Sequence, residues 1–177
     1  MLILEGPDGG GKTTLLETIT ERYPGIMQAP RASSSVEGPV KNLFEWATED
    51  MNAWGLRPYS IYDRHPLISE YVYGNATRRS VAPGFNTAAA ARLRQVMYRQ
   101  ALVIFCLPPL KVVRENVRAN APEQMAGVVE NITKIYQMYA FLARTWPGRA
   151  YIYNYTDKLS LPRILSAIEL ELMGEPE

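Results

Sequence analysis

Apolar positions along this 177-residue chain follow two rhythms. Leu2-Ile3-Leu4 and Ala101 to Leu107 are continuous apolar runs, the pattern of strands covered on both faces. Ile26-Met27-Gln28, Tyr59-Ser60-Ile61-Tyr62 and Tyr151-Ile152-Tyr153-Asn154-Tyr155 read as three further strands. Between them the period lengthens. Val40, Leu43, Phe44, Ala47, Met51 and Trp54 recur at helical spacing and place one apolar helix face over 40–54. Further helices are expected from about Lys12 to Arg22, over 66–73, from Thr87 to Gln100 with Asn86 or Thr87 as cap, from Leu110 to Ala119, and from Gln124 to Thr145. Ser160 is expected to cap a last one. Strands alternating with helices predict a three-layer α/β fold, a five-stranded parallel sheet with helices on both faces. No repeat or linker interrupts it, so residues 1–177 read as a single domain.

Composition narrows the setting. No apolar run approaches the roughly 18–20 residues of a membrane-spanning helix. Met1-Leu2-Ile3-Leu4 runs into a glycine-rich turn rather than a secretory cleavage site. With one cysteine (Cys106) and one histidine (His65), an internal disulfide is impossible and a Cys/His zinc site implausible. The expectation is a reducing, cytoplasmic compartment (the host's, were the chain viral), with Cys106 a buried, inert thiol. The net charge of +1 hides an asymmetry: residues 57–118 hold ten Lys and Arg against three Asp and Glu, while both flanks are acidic. A basic middle third suits a polyanionic ligand.

Gly6-Pro7-Asp8-Gly9-Gly10-Gly11-Lys12-Thr13 fits G-x-x-x-x-G-K-[ST] between a predicted strand and a predicted helix. The spacing has a physical reason. Glycines let the loop curl until successive N–H groups converge on phosphate oxygens, and the following helix adds its positive end. Lys12 brings an ammonium to the β- and γ-phosphates, and the Thr13 hydroxyl ligates Mg²⁺. Gly6, Asp8, Gly9, Gly10, Gly11, Lys12, Thr13 and Thr14 form the candidate ATP site.

In an open parallel sheet the ligand lies beyond the carboxyl ends of the strands. Pro30-Arg31, Asp63-Arg64-His65 and Pro108-Pro109 leave the other strand ends and should converge on the glycine loop. Asp63 there can hold Mg²⁺ or accept a proton, and Arg64 can neutralise a phosphoryl group in transfer.

Leu4-Glu5-Gly6-Pro7-Asp8-Gly9-Gly10-Gly11-Lys12-Thr13-Thr14 resembles the opening of thymidylate kinases. Asp63-Arg64-His65-Pro66-Leu67-Ile68-Ser69-Glu70-Tyr71 resembles their Asp-Arg-Tyr segment, Ile104 to Pro109 with Arg114 their fourth strand and Arg-bearing helix, and Tyr153-Asn154-Tyr155-Thr156-Asp157 their last strand. The resemblance spans the chain and implies a P-loop kinase, usually dimeric, with ATP and Mg²⁺ as cofactors. It also implies lid arginines after the fourth strand where the phosphate loop carries none. Arg114 and Arg118, four apart on one helical face, take that role in a short lid of about 114–127, and join Lys12, Asp63 and Arg64 as candidate catalytic residues. Where thymidylate kinases carry Arg-Glu-Pro-Gly, this chain has Gln28-Ala29-Pro30-Arg31-Ala32, leaving Arg31 to bind an acceptor phosphate.

The expected function is phosphoryl transfer from ATP to a deoxynucleotide, a pyrimidine deoxynucleoside monophosphate first. Second stands a kinase for the hydroxymethyl group of 5-hydroxymethyluracil in viral DNA, with the exposed basic loop Arg78-Arg79-Ser80 to meet the DNA backbone. A free deoxynucleoside kinase is third, and a nucleotide-binding regulator or plain NTPase is the reading from outside the kinases. Tyr71 and Tyr73, just past Asp63, are candidates to stack on the acceptor base.

Overall fold

The computed structural model describes residues 1–34, 38–77 and 80–174, with side chains left undescribed at 33, 34, 38 and 39. The basic pair Arg78-Arg79 therefore lies outside the described residues. Five parallel strands form the sheet: β1 (Leu2–Glu5), β2 (Met27–Gln28), β5 (Ser60–Asp63), β6 (Leu102–Cys106) and β7 (Arg149–Tyr153), in the order β2-β5-β1-β6-β7. Among the described residues the seven α-helices are α1 (Lys12–Arg22), α2 (Leu43–Asn52), α3 (Pro66–Ala76), α4 (Ala88–Gln100), α5 (Leu110–Ala119), α6 (Val128–Thr145) and α7 (Ser160–Met173). Among the described residues none is long and apolar enough to cross a membrane.

The two-residue period of the strands sorts the core into two layers. Leu2 and Leu4 of β1, with Leu102, Ile104 and Cys106 of β6, pack against α1 and α7. Ile3, Val103 and Phe105 point the other way into a larger core under the remaining helices. Both layers are closed, so the central strands are apolar throughout, as the sequence pattern requires.

The element ends differ from expectation in ways with local causes. A short antiparallel ladder, β3 (Ser33–Ser34) with β4 (Gly38–Pro39), follows β2 and was unannounced by any apolar alternation. The long helix starts at Val128 rather than Gln124, because Gly127 precedes it at φ +82° and Ala121–Glu123 form a separate 3-10 turn. The last strand ends at Tyr153, two residues early, so Asn154 and Tyr155 leave the sheet edge as loop residues. Ser160 does not cap α7. Its hydroxyl accepts from the Asn154 N–H at 2.9 Å, while Asp157 Oδ1 takes the Leu159 N–H at 3.0 Å. Thr87 does cap α4, accepting from the Ala90 N–H.

One buried polar cluster fixes the β5 end against α2. Asp50 accepts from Trp54 Nε1 (2.9 Å), from Tyr62 OH (3.2 Å) and from the Arg57 guanidinium. His65 lies beside it, with Nε2 at 3.5 Å from Asp50 Oδ2. Burial lowers the His65 pKa against the pull of Asp50, leaving a neutral ring. Its Nδ1 accepts from the Leu67 N–H and so caps α3, with Pro66 at the first helical position. That cap sets where α3 begins, immediately after Asp63-Arg64.

Candidate functional site

Glycine is obligatory in the loop between β1 and α1. Gly6 has φ +143°, and a Cβ there would stand 2.5 Å from the Cys106 carbonyl oxygen; Gly11 has φ +85°, and its Cβ would meet the Tyr155 ring at 2.7 Å. Only a residue without a side chain lets the loop lie this close to the β6 end and to the loop after β7. Lys12 opens α1 and folds its ammonium back under the loop, donating to Gly6 O (3.1 Å) and Pro7 O (2.8 Å). Burial and the nearby Arg64 lower the Lys12 pKa, opposed by Asp8 and Asp63. Asn116 of α5 closes the loop from above, its amide donating to Gly9 O (3.0 Å) and to Tyr155 OH (2.7 Å).

Strand register delivers the second motif. Leu4 pairs with Asp63 across the β1–β5 ladder, and the Arg64 N–H continues it to Leu4 O. Arg64 is a non-glycine residue at φ +69°, a conformation that costs an ordinary side chain on the order of 1 kcal/mol and is found where surroundings over-determine it. They do so here. Arg64 Nη2 donates to Asp8 Oδ1 (2.9 Å), to Tyr73 OH (2.7 Å) and to Gly6 O (3.3 Å), and Tyr73 OH in turn donates to Asp8 Oδ2 (2.7 Å). Burial works to raise the Asp8 pKa, but Arg64 and Lys12 outweigh it and hold this carboxylate below its usual range. The same Asp8 contact lifts Arg64 well above its usual range against burial.

Beneath this cluster lies Glu5, fully buried at the end of β1. Its Oε1 accepts from the His65 N–H (2.7 Å) and its Oε2 from Tyr139 OH of α6 (3.0 Å). Burial raises its pKa to about 7, against the opposing pull of the His65 N–H and of Arg64. Nothing in the sequence marked Glu5 beyond its place in the motif; its partners come from 60 and 134 residues away.

Asp63 forms an ion pair with Arg31 (2.8 Å), which joins the two strand-end residues but commits both to one another. The other Asp63 oxygen, Oδ1, is buried with no hydrogen-bond partner among the described residues, and Asp63 lines the same hollow as Thr13. An orphaned carboxylate oxygen and a hydroxyl-bearing residue on one hollow are a donor set that fits a hard divalent cation such as Mg²⁺.

Three concavities run in a line across this surface. A 190 Å³ hollow is formed by the glycine loop with Asp63 and Arg64. On one side it shares Gly9, Gly11 and Thr14 with a 310 Å³ cleft walled by Asn116, Asn120, Tyr153 and Tyr155. On the other it shares Asp8 and Arg64 with a 340 Å³ cavity whose floor is α3 and whose sides are Leu43 of α2 and Met125, Ala126 and Val128 at the start of α6. Asp8 and Arg64 thus form the wall between hollow and cavity.

The residues singled out from sequence divide accordingly. Gly6, Asp8, Gly9, Gly10, Gly11, Lys12, Thr13, Thr14, Asp63 and Arg64 come together, and Tyr73 joins them through its hydroxyl rather than through a stacked ring. Tyr71 is exposed on the other side of α3 and lines none of the three concavities. Arg114 and Arg118 stand exposed on α5 and also line none of them, although Asn116 between them reaches the loop. Glu5, Glu70, Asn116 and Tyr139 were missed, each placed by contacts distant in sequence.

No protein-family model matches the chain. A guanylate kinase of Gloeobacter violaceus is 22% identical over 160 residues, covering 81% of this chain and 76% of that protein. Among solved structures, the YorR protein of Bacillus subtilis, in complex with phosphorylated GDP, superimposes with a TM-score of 0.69 at 20% identity over 99% of each chain. A deoxyadenosine kinase from M. mycoides, solved with the products dCMP and dCDP, gives 0.63 at 15% identity over 95% of this chain and 97% of that one. The fold is therefore that of the P-loop nucleotide kinases. The narrower resemblance to thymidylate kinases has no counterpart among these matches.

Proposed function

We propose that this chain is an ATP-dependent kinase whose acceptor is a nucleoside monophosphate. One observation carries the reading: a cleft, a phosphate-sized hollow and a second cavity lie in line, with Asp8 and Arg64 between the last two. In this arrangement the donor base enters the Asn116–Tyr155 cleft, its phosphates curl along the loop, and the acceptor approaches from the 340 Å³ cavity. The names of the proteins similar to it support a nucleotide or nucleoside kinase; that of the guanylate kinase agrees with a monophosphate acceptor, that of the deoxyadenosine kinase with a nucleoside.

In the transfer a new P–O bond forms between an acceptor phosphate oxygen and the γ-phosphorus as the bond to the β-phosphate oxygen breaks, leaving ADP and a nucleoside diphosphate. Lys12 and the loop N–H groups neutralise the donor phosphates, and Arg64 places its guanidinium where charge spreads in the transition state. Thr13 and Asp63 are the residues that would hold Mg²⁺. Bound there, Mg²⁺ would supply positive charge to offset that of the donor phosphates.

The acceptor's chemistry follows from the carboxylates. An alcohol benefits from a general base near neutral pKa, whereas a phosphate is already an anionic nucleophile. The two carboxylates that line the hollow are matched to arginines, Asp8 to Arg64 and Asp63 to Arg31, Asp8 is held below its usual range, and Glu5, whose pKa is near neutral, is fully buried and lines neither hollow nor cavity. That pairing favours a monophosphate over a nucleoside or a hydroxymethyl group in DNA. Arg114 and Arg118 enter the reading only through a closure of α5 over the phosphates.

The test is transfer of labelled phosphate from ATP to a panel of nucleosides, nucleoside monophosphates and oligonucleotides with and without 5-hydroxymethyluracil. Label in a diphosphate product is expected. Label only in an oligonucleotide or a nucleoside, or hydrolysis unstimulated by every acceptor, would remove the proposal.

A further inference from the structure

The β1–β5 ladder ends where the Arg64 N–H reaches Leu4 O, and the positive φ of Arg64 turns the next peptide out of the sheet. The His65 N–H is thereby left inside the protein without a strand partner, and a buried N–H must find another. Glu5, wholly buried at the end of β1, takes it on Oε1 at 2.7 Å. Returning Arg64 to an ordinary negative φ would swing that peptide round and break the contact. Asp8 holds the tip of the arginine at 2.9 Å; the turn from which its side chain springs is held by Glu5.

The same carboxylate supports the guanidinium from another direction. Glu5 Oε2 accepts from Tyr139 OH at 3.0 Å. The Tyr139 ring stands edge-on to Tyr73, with centroids 6.2 Å apart. Tyr73 in turn carries the Arg64 guanidinium over its ring, 5.2 Å from the centroid, and on its hydroxyl at 2.7 Å. Glu5 itself lines none of the three concavities, so it meets neither donor nor acceptor. We infer that Glu5 is a positioning residue for phosphoryl transfer that acts through Arg64; this rests on the monophosphate-kinase reading above. One oxygen fixes the arginine's main chain, and the other fixes its side chain by way of Tyr139 and Tyr73.

The experiment measures kcat and both KM values for Glu5 variants, alone and combined with Arg64→Ala, using ATP and the monophosphate that leads the labelled-phosphate panel. Glu5→Met keeps the length of the side chain and offers the His65 N–H no oxygen. It should lower kcat by about 10²-fold, the scale of a group displaced by about an ångström, with the ATP KM within about twofold. Glu5→Gln keeps an oxygen for that N–H and should recover all but about threefold of the loss. In Arg64→Ala, Glu5→Met should cost less than about threefold more, because a residue that acts through another then has nothing to act on. An unchanged kcat in folded Glu5→Met, no recovery in Glu5→Gln, or the full loss repeated in Arg64→Ala would overturn the inference and leave a monophosphate kinase intact. Should Glu5→Met not fold, Tyr139→Phe cuts only the Oε2 link and keeps the ring. A fall of about fivefold in kcat, absent in Arg64→Ala, is then expected, and an unchanged kcat would overturn the inference. Transfer to no monophosphate by the unaltered protein would remove the proposed function, and a crystal structure of the folded variant would still judge Arg64. Its guanidinium is expected to leave Asp8; an arginine unmoved at φ +69° and still on Asp8 would overturn the inference.

Discussion

The two halves of the site are built on opposite principles. On the loop side, seven consecutive residues from Asp8 to Thr14 supply most of the lining, and three of them are glycines that offer only main chain. On the cavity side, α2, α3 and α6 contribute separately, and the surface is side chain. A main-chain site depends on where the chain turns, a side-chain site on what has packed around it. The first is robust to everything except loss of its glycines and its lysine; the second can be retuned one residue at a time.

Variants can set the two halves apart, beginning with the largest effect. Lys12→Ala should lower kcat by about 10³-fold, the scale of losing a principal charge donor in phosphoryl transfer, while tryptophan fluorescence and melting show a folded chain. Retention of more than a tenth of the activity would mean the loop does not carry the chemistry.

Glu5→Gln comes next, and its effect is read in stability. The folded chain keeps the Glu5 proton up to about pH 7, against about 4.5 for the free group. This stabilisation is complete below about pH 4.5 and lost as pH rises through about 7, on the order of 3 kcal/mol. Denaturant melts at several pH values should show that decline in the unaltered protein and its absence in Glu5→Gln. Parallel curves would show that Glu5 is not the titrating group.

Arg64→Lys should cost about 10²-fold in kcat/KM, because the shorter lysine side chain does not carry its ammonium to the point from which Nη2 reaches Asp8, Tyr73 OH and Gly6 O. Tyr73→Phe removes only the hydroxyl that bridges Arg64 and Asp8. A loss of about 5- to 10-fold is expected, in acceptor KM with the ATP KM unmoved, since Tyr73 lines the acceptor cavity. A shift in the ATP KM instead would place Tyr73 in the loop half.

Arg114→Ala and Arg118→Ala are the smallest, within about twofold, as exposed side chains that do not line the hollow give. A tenfold fall in kcat for either would show that α5 swings its arginines over the phosphates, and would add a third, mobile component to the comparison.

The same contrast explains what could be read in advance. The sheet was legible because β1 and β6 are closed on both faces and every residue in them is apolar or at the motif's edge. The glycine loop was legible because its function is local, one strand, one turn and one helix start. The β3–β4 ladder was not, being two short pairs of Ser, Gly and Pro without alternation. What the sequence did not show of Tyr73 is its hydroxyl, which meets an aspartate 65 residues away, a pairing that strand register creates. Tyr71, chosen with it, falls on the opposite side because a helix turns about 200° over two residues. Glu70 and Glu5 carry no local signature, since a carboxylate's meaning depends on the groups folded around it.

The loop rests on the Cys106 carbonyl, which lies 2.5 Å from where a Gly6 side chain would begin and 2.8 Å from where one on Gly10 would. Because the support is a main-chain oxygen, the two sides of this contact carry unequal mutational risk. Position 106 can drift among small apolar residues, answering only to the volume of the layer beneath α1. Positions 6 and 10 cannot drift at all. In a library of random substitutions the contact would be visible from one side only, as two invariant glycines facing a position that accepts several small apolar residues.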